Sequence, residues 1–287
     1  MTPRDLIRET SLRFSRAGIT ECETDSSLLL SFLTHVRPLN LRLDNETILD
    51  EKLLDEYERL VQRRLSREPL QYITSEAPFC GRIFYVDSRV LIPRPETELL
   101  CRWALEPFML RSGASVLDLC CGSGCIGLTI AAERPDLNVT LSDISENALE
   151  VAEMNAKRFG LSVSLLHCDL LSGIPSDSFD AILSNPPYIP SADCPHLQPE
   201  VLSEPITALD GGGDGLFFYR RIASEAMRVL RKDGRLMMEV GFGESGNVSD
   251  LLSESGFTEL TVRKDFQGID RMIAAGRTPM EDICLND

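Results

Sequence analysis

Three stretches of this chain carry residue types that could do chemistry together. The first is Leu117-Asp118-Leu119-Cys120-Cys121-Gly122-Ser123-Gly124-Cys125-Ile126-Gly127, where Gly122, Gly124 and Gly127 satisfy a G-x-G-x-x-G spacing. Between a strand and a helix, such a turn lets backbone approach a ligand closely. The second is Asp143, 19 residues after Gly124 and at the end of the next predicted strand. In a doubly wound sheet that position sets a carboxylate beside a ribose hydroxyl pair. Turn and acid together read as a site for an adenosine-containing ligand, either NAD or S-adenosylmethionine. Asp118 separates the two. A carboxylate at the strand end would repel a pyrophosphate but suits the ammonium of a methionine moiety. A turn that merely needs glycine, capped by an aspartate, is the bland alternative. The third stretch is Asn185-Pro186-Pro187-Tyr188. It combines a side-chain acceptor, a backbone carbonyl, a loop stiffened by two prolines, and a ring that can stack on a flat group.

These residues need a scaffold, and the hydrophobic pattern supplies one. From Ser115 onward strands and helices alternate. Strands are predicted at Val116–Leu119, Val139–Asp143, Val163–Leu166, Phe179–Ser184, Gly234–Val240, Phe257–Arg263 and Arg271–Ala275. Helices are predicted at Gly124–Glu133, Ser145–Phe159, Leu216–Leu230 and Asn247–Ser255. This alternation predicts an α/β fold with a doubly wound, mostly parallel seven-stranded sheet. The stretch from Asn185 to Gly215 is much longer than an ordinary connection, which marks it as functional or mobile. Gly211-Gly212-Gly213 within it could hinge a lid or form a plain flexible turn.

Ahead of the sheet, residues 3–66 read as a small helical bundle. Leu6, Ile7, Leu12 and Phe14 recur at helical spacing, Thr24-Asp25-Ser26 offers caps for Leu28–Val36, and Asp50–Arg67 carries Leu53, Leu54, Tyr57, Leu60, Val61 and Leu65 on one face. Phe79–Ile92 alternates around Asp87-Ser88 and reads as a β-hairpin linker. Pro95 or Thr97 opens a helix running to about Leu110. The expected domains are therefore 1–75, a hairpin linker over 76–95, and 96–287.

Composition narrows the partners. Lys+Arg number 29 against 45 Asp+Glu, so the formal charge is −16. That disfavours a partner held by phosphate neutralisation. The longest uncharged stretch, Leu119–Ala132, contains three Gly and a Ser and is too short to span a bilayer. The opening residues lack the apolar region of a signal peptide. The nine Cys (22, 80, 101, 120, 121, 125, 168, 194 and 284) form no C-x-x-C pair. Reduced thiols, a cytoplasmic location and no metal are expected. Cys121 and Cys125, four apart at a helix start, read as a redox pair or, more simply, as small side chains in a crowded turn. His35, His167 and His196 are scattered without metal or triad spacing.

Asn-Pro-Pro-Tyr after a fourth strand resembles the signature of class I methyltransferases that methylate a planar nitrogen. The residue types suit that task. A planar NH₂ is a poor nucleophile with two donors, and the Asn185 oxygen and Pro186 carbonyl can accept both. That aligns the nitrogen and stabilises the positive charge growing on it. Further segments resemble the bacterial HemK family of release-factor glutamine methyltransferases. They are Leu91-Ile92-Pro93-Arg94-Pro95-Glu96-Thr97-Glu98, Asn185–Pro190, Glu204-Pro205, Ala208-Leu209, Gly211-Gly212, Asp214-Gly215-Leu216 and Asp265–Arg271.

The resemblance implies methyl transfer from S-adenosylmethionine to the glutamine of the Gly-Gly-Gln motif of class 1 peptide chain release factors, giving N5-methylglutamine and S-adenosylhomocysteine. It also implies an N-terminal bundle that helps hold the release factor. The cofactor turn then falls on Cys120, Cys121, Gly122, Ser123 and Gly124, the ribose acid on Asp143, and the residue beside the adenine on Leu170. Asn185, Pro186, Pro187 and Tyr188 become the glutamine-binding residues, with Asn185 also near the cofactor and Arg94 and Glu96 at the substrate entrance. An interdomain ion pair is the other reading of Arg94 and Glu96. Two positions depart from the family: Cys120 stands where glycine is usual, and Leu170 where relatives often have an aromatic ring. A monomer without direct nucleic-acid binding is expected.

Three alternatives compete. An adenine-N6 methyltransferase acting on DNA or RNA shares the Asn-Pro-Pro-Tyr geometry, but needs a basic surface that the charge does not favour. An NAD-dependent oxidoreductase would use Gly122, Gly124 and Gly127 but is opposed by Asp118 and Asn185. A non-catalytic adaptor would not need Asp118, Asp143 and Asn185 intact.

Overall fold

The computed structural model describes residues 1–107 and 109–277. Cys284 lies outside them, as does Phe108 within the helix expected to reach Leu110. Two compact units emerge: Met1–Glu76 with Gln198–Ser203, and Ala77–Leu197 with the chain from Glu204 onward. Among the described residues no helix is long and apolar enough to cross a membrane.

The first unit is helical: α1 (Pro3–Arg16), α2 (Cys22–Thr34), α3 (Pro38–Leu43), α4 (Glu51–Leu65) and α5 (Leu70–Thr74). Asp50 caps α4 by accepting from the Leu53 N–H at 2.8 Å. Phe14, Leu29, Leu30, Tyr57 and Val61 form its core, whereas Leu12 is exposed. The caps expected at Thr24-Asp25-Ser26 are not used, because α2 starts earlier, at Cys22. Asp25 instead turns inward and accepts from Arg64 Nε at 2.7 Å. Arg64 and Arg67 also reach Glu200, at 2.9 and 2.6 Å. Burial would raise the Glu200 carboxyl, but Arg67 and Arg64 hold it down at about 2. This ion-paired cluster gathers Gln198–Ser203 onto the helices.

A two-stranded hairpin follows, β1 (Glu76–Phe79) and β2 (Arg82–Tyr85), of which all but Glu76 lies in the second unit. Its turn is Cys80-Gly81, not Asp87-Ser88 as the alternation suggested. Both turn residues have positive φ, +45° and +74°, as a two-residue hairpin of right-handed twist requires. Asp87 instead accepts from the Arg89 backbone N–H and pairs with its guanidinium.

There follow α6 (Pro95–Ala104), β3 (Ser115–Leu119), α7 (Cys125–Glu133), β4 (Asn138–Asp143), α8 (Glu146–Phe159), β5 (Ser164–His167), β6 (Phe179–Ser184), α9 (Phe217–Val229), β7 (Leu230–Glu239), α10 (Ser245–Glu254), β8 (Thr258–Lys264) and β9 (Asp270–Gly276). Pro95 starts α6, since a missing N–H costs nothing in the first turn. The helix stops at Ala104, short of the expected Leu110. The strands order as β5-β4-β3-β6-β7-β9-β8, parallel up to β7 and antiparallel at β7-β9 and β9-β8. All seven predicted strands are present, with ends shifted by a few residues.

Central β3 is covered on both faces, which is why Val116, Leu117 and Leu119 run almost without interruption. The chain steps outward from β3 through β4 to β5, then returns to lay β6 on the other side of β3. That reversal is the topological switch point, where a doubly wound sheet opens a crevice at its carboxyl edge. Both the Gly-rich turn and Asn185 leave the sheet there.

Candidate active site

The Gly-rich turn is fixed from below and from the side. The Cys121 N–H donates to the Ser142 carbonyl at 3.0 Å, tying the turn to the end of β4. Buried Asn155 on α8 donates to the Ser123 carbonyl at 3.0 Å, and its side-chain oxygen accepts from the Tyr85 N–H at 2.7 Å. Gly127 is required by close packing: a Cβ there would lie 2.2 Å from Leu141 and 2.9 Å from Asp118. Its N–H donates to Asp118 Oδ2 at 2.7 Å. The other oxygen, Oδ1, is buried with no hydrogen-bond partner among the described residues. Burial pushes the Asp118 carboxyl up to about 7, against the Gly127 hydrogen bond.

Above the turn lies a cavity of about 400 Å³. Cys120, Gly122, Asp143, Leu170, Asn185 and Pro187 are among its lining residues. Asp143 is the acid at the end of β4. It accepts from the Gly122 N–H and the Ser145 N–H, both at 2.9 Å. Burial raises its pKa, and those backbone donors oppose the rise. Cys120 and Leu170 both hold positive φ, +59° and +50°. Left-handed backbone costs a residue with a Cβ on the order of 1 kcal/mol, so each is a strained position facing the cavity.

Asn185 follows β6 directly. Ser184, its neighbour, pairs with Leu119 across the β3–β6 ladder. Asn185 donates through Nδ2 to Thr97 Oγ1 at 3.2 Å. Thr97, buried in the first turn of α6, donates to Glu239 Oε2 at 2.6 Å. The Tyr188 hydroxyl donates to Glu239 Oε1 at 3.4 Å. Glu239 ends β7 fully buried; burial pushes its carboxyl up to about 7 despite the Thr97 hydrogen bond and the charge of Arg271. Burial and the nearby Glu239 charge also raise the Tyr188 phenol, keeping it neutral. The loop is braced from outside by a strand-like contact, with the Ile189 N–H donating to the Leu209 carbonyl and the Gly211 N–H to the Ile189 carbonyl.

Comparison with known proteins agrees with this layout. Residues 97–218 match the model of the methyltransferase small domain, and residues 5–74 that of the PrmC N-terminal domain. A release factor glutamine methyltransferase of Clostridium acetobutylicum is 40% identical over 258 residues, covering 88% of this chain and 90% of the relative. One from Geobacter sulfurreducens is 38% identical over 273 residues, covering 95% of each. The chain belongs to the release factor glutamine methyltransferases. The fold agrees with a solved methyltransferase of Pyrococcus furiosus, with a TM-score of 0.54 at 18% identity over 70% of this chain and 91% of that one.

Within this methyltransferase the residues singled out from sequence fall into distinct places. Asp118, Cys121, Ser123 and Gly124 form the floor and curl of the turn and are not among the cavity-lining residues. Pro186 and Tyr188 stand in the loop next to the cavity. Arg94 pairs with Glu204, whose other oxygen accepts from the Ile92 N–H at 3.0 Å. Both partners lie in the second unit, which corrects the interdomain reading: Arg94 and buried Glu204 fasten the start of α6 to the long loop. Glu96 is half-buried in the first turn of α6.

Cys121 and Cys125 are buried, and burial raises both thiols, so they are packed side chains and not activated thiolates. Gly211 packs closely against the substrate-side loop. A Cβ on it would lie 2.7 Å from the Tyr188 backbone. Thr97 and Glu239 went unnoticed in the sequence as site residues. The available signal was an acid inside the apolar run Leu236-Met237-Met238-Glu239-Val240.

Proposed function

We propose that the cavity binds S-adenosylmethionine, and that Asn185 and Pro186 hold the side-chain amide of the release-factor glutamine beside it. As a member of its family the chain transfers a methyl group to that amide nitrogen, giving N5-methylglutamine. The observation that carries the assignment is Asn185. It lines the cavity and also anchors the Pro-Pro loop through Thr97, so one side chain joins the donor site to the acceptor site.

The residues fit the group. Asp143 keeps lone pairs for a ribose hydroxyl pair while backbone N–H groups hold it still. Leu170 gives an apolar wall for the adenine. Asp118, buried beneath the turn with Oδ1 unpartnered among the described residues, puts a carboxylate below the end of the cavity where the cationic amino-acid end would lie. Bound S-adenosylmethionine supplies an electrophilic methyl group on cationic sulfur.

The chain's own residues prepare the nucleophile. The Asn185 oxygen and the Pro186 carbonyl each accept one N–H of the amide. Held this way, the nitrogen presents its face to the cavity, both acceptors stabilise the charge it gains as the N–CH₃ bond forms and the methyl–sulfur bond breaks, and one of its two N–H protons then leaves to give the neutral methylamide. Pro186 and Pro187 are buried and lack N–H groups that would compete for the substrate carbonyl. Tyr188, tied to Glu239, offers its ring to the flat amide. The helical unit matched by the N-terminal family model helps hold the release factor. Incubation with a methyl-labelled donor, a release factor and duplex DNA tests this. Label is expected on the protein alone; label on the DNA would overturn the substrate assignment.

A further inference from the structure

We propose that Thr97 and Glu239 are positioning residues that set which end of the Asn185 amide faces the substrate nitrogen. The inference rests on the reading of Asn185 as the acceptor for that nitrogen. An amide side chain has two ends of opposite character, and only its oxygen can accept an N–H. A rotation of half a turn would aim NH₂ at the substrate and abolish the interaction.

The chain of donors removes that ambiguity. An ionised carboxylate can only accept, so the single O–H of Thr97 is committed to Glu239 Oε2 at 2.6 Å. The Thr97 oxygen can then only accept, and Asn185 satisfies it with Nδ2 at 3.2 Å. Asn185 Oδ1 is thereby turned away from Thr97. The second oxygen of the same carboxylate takes the Tyr188 hydroxyl at 3.4 Å. A single buried anion thus orders two side chains of the substrate loop from α6, β7 and the loop itself.

The state of Glu239 decides the direction of every bond in this chain. Around it stand Thr97 and Glu96 on α6, Arg271 on β9, Tyr188 in the loop, Tyr219 on α9 and Cys125 on α7. Arg271 favours the charged form and Glu96 opposes it. The Tyr219 hydroxyl is engaged at the Glu239 backbone carbonyl, 3.0 Å away. A proton gained by Glu239 turns it into a donor toward Thr97. The Thr97 hydroxyl is then free to donate to Asn185, which reverses the amide.

Steady-state kinetics with a release factor, from about pH 6 to about pH 9, test the proposal on Thr97→Val, Thr97→Ser and Asn185→Ala at a temperature where circular dichroism shows all of them folded. Thr97→Val keeps shape but cannot accept from Asn185. Its kcat is expected to fall about tenfold with the KM for the methyl donor unchanged, and the fall in kcat below about pH 7 is expected to disappear. Thr97→Ser is expected to restore both. Wild-type kcat and pH profile in Thr97→Val, alongside an inactive Asn185→Ala, would overturn the positioning role and leave the role of Asn185 standing. A fully active Asn185→Ala would overturn both.

Discussion

The Ser184 hydroxyl donates to the Leu119 carbonyl at 2.7 Å, where β6 and β3 end side by side. One residue beyond each lie Asn185 and Cys120, and both line the same cavity. The register of two central strands therefore sets the separation of Cys120 and Asn185. A slip of the ladder would carry the two apart, and its fully buried location makes such a slip costly.

Replacing Asn185 with alanine removes the acceptor proposed to act on the developing charge. Turnover is expected to fall by about a hundredfold or more, a size ordinary for a lost, well-oriented transition-state hydrogen bond. The KM for S-adenosylmethionine should move far less. Initial rates at saturating release factor check this, and a variant within a few-fold of wild type contradicts it.

Asp143→Ala is expected to act in the opposite way. Its carboxylate faces the cavity but makes no contact in the Asn185 network, so the main effect is a higher cofactor KM with most of kcat retained. Isothermal titration with S-adenosylhomocysteine measures the affinity directly. Unchanged binding with a collapsed kcat would contradict the ribose assignment. Thermal unfolding is needed alongside, because Asp143 also fastens Gly122 and Ser145.

Gly211 and Gly213 lie two residues apart in one loop but differ sharply. A Cβ on Gly211 would press on the Tyr188 backbone, whereas one on Gly213 meets nothing within 4 Å. Gly211→Ala is expected to cost about 1–3 kcal/mol and to lower kcat about tenfold by displacing Tyr188. Gly213→Ala should leave both near wild type. Equal behaviour of the two variants would refute the close-approach account.

Stability should decline as pH rises from about 5 to about 8. Glu239 is raised to about 7 in the fold from an unfolded value of 4.5. Below both values neither state is charged. As pH rises between them, the unfolded chain releases its proton first and is favoured, by an amount on the order of 3 kcal/mol once Glu239 ionises in both states. Asp118 and Glu244, also raised to about 7 by burial, act in the same sense. Glu239→Gln should flatten the decline in Tm. An equally steep decline in that variant would exclude Glu239 as a contributor.

Much of the architecture is legible in the sequence. The seven strands announced themselves because buried parallel strands are short apolar runs between turn residues, as in Val116–Leu119 and Phe179–Ser184. The turn, Asp143 and the Asn185 loop were readable because their residue types are local. The hairpin turn at Cys80-Gly81 was not, since cysteine at positive φ has no compositional signature. The Thr97–Glu239 bond spans 142 positions, and no local pattern encodes a contact of that range. Arg94 with Glu204 escaped for the same reason. What stayed hidden is the support under the reactive side chains.

The decisive measurement is transfer of label from methyl-labelled S-adenosylmethionine to a wild-type release factor and to its variant with alanine in place of the Gly-Gly-Gln glutamine. Stoichiometric label is expected on the wild type and none on the variant, with the initial rate of labelling of the wild-type release factor lowered about a hundredfold or more when the enzyme carries Asn185→Ala. Equal labelling of wild type and variant release factors would contradict the substrate assignment.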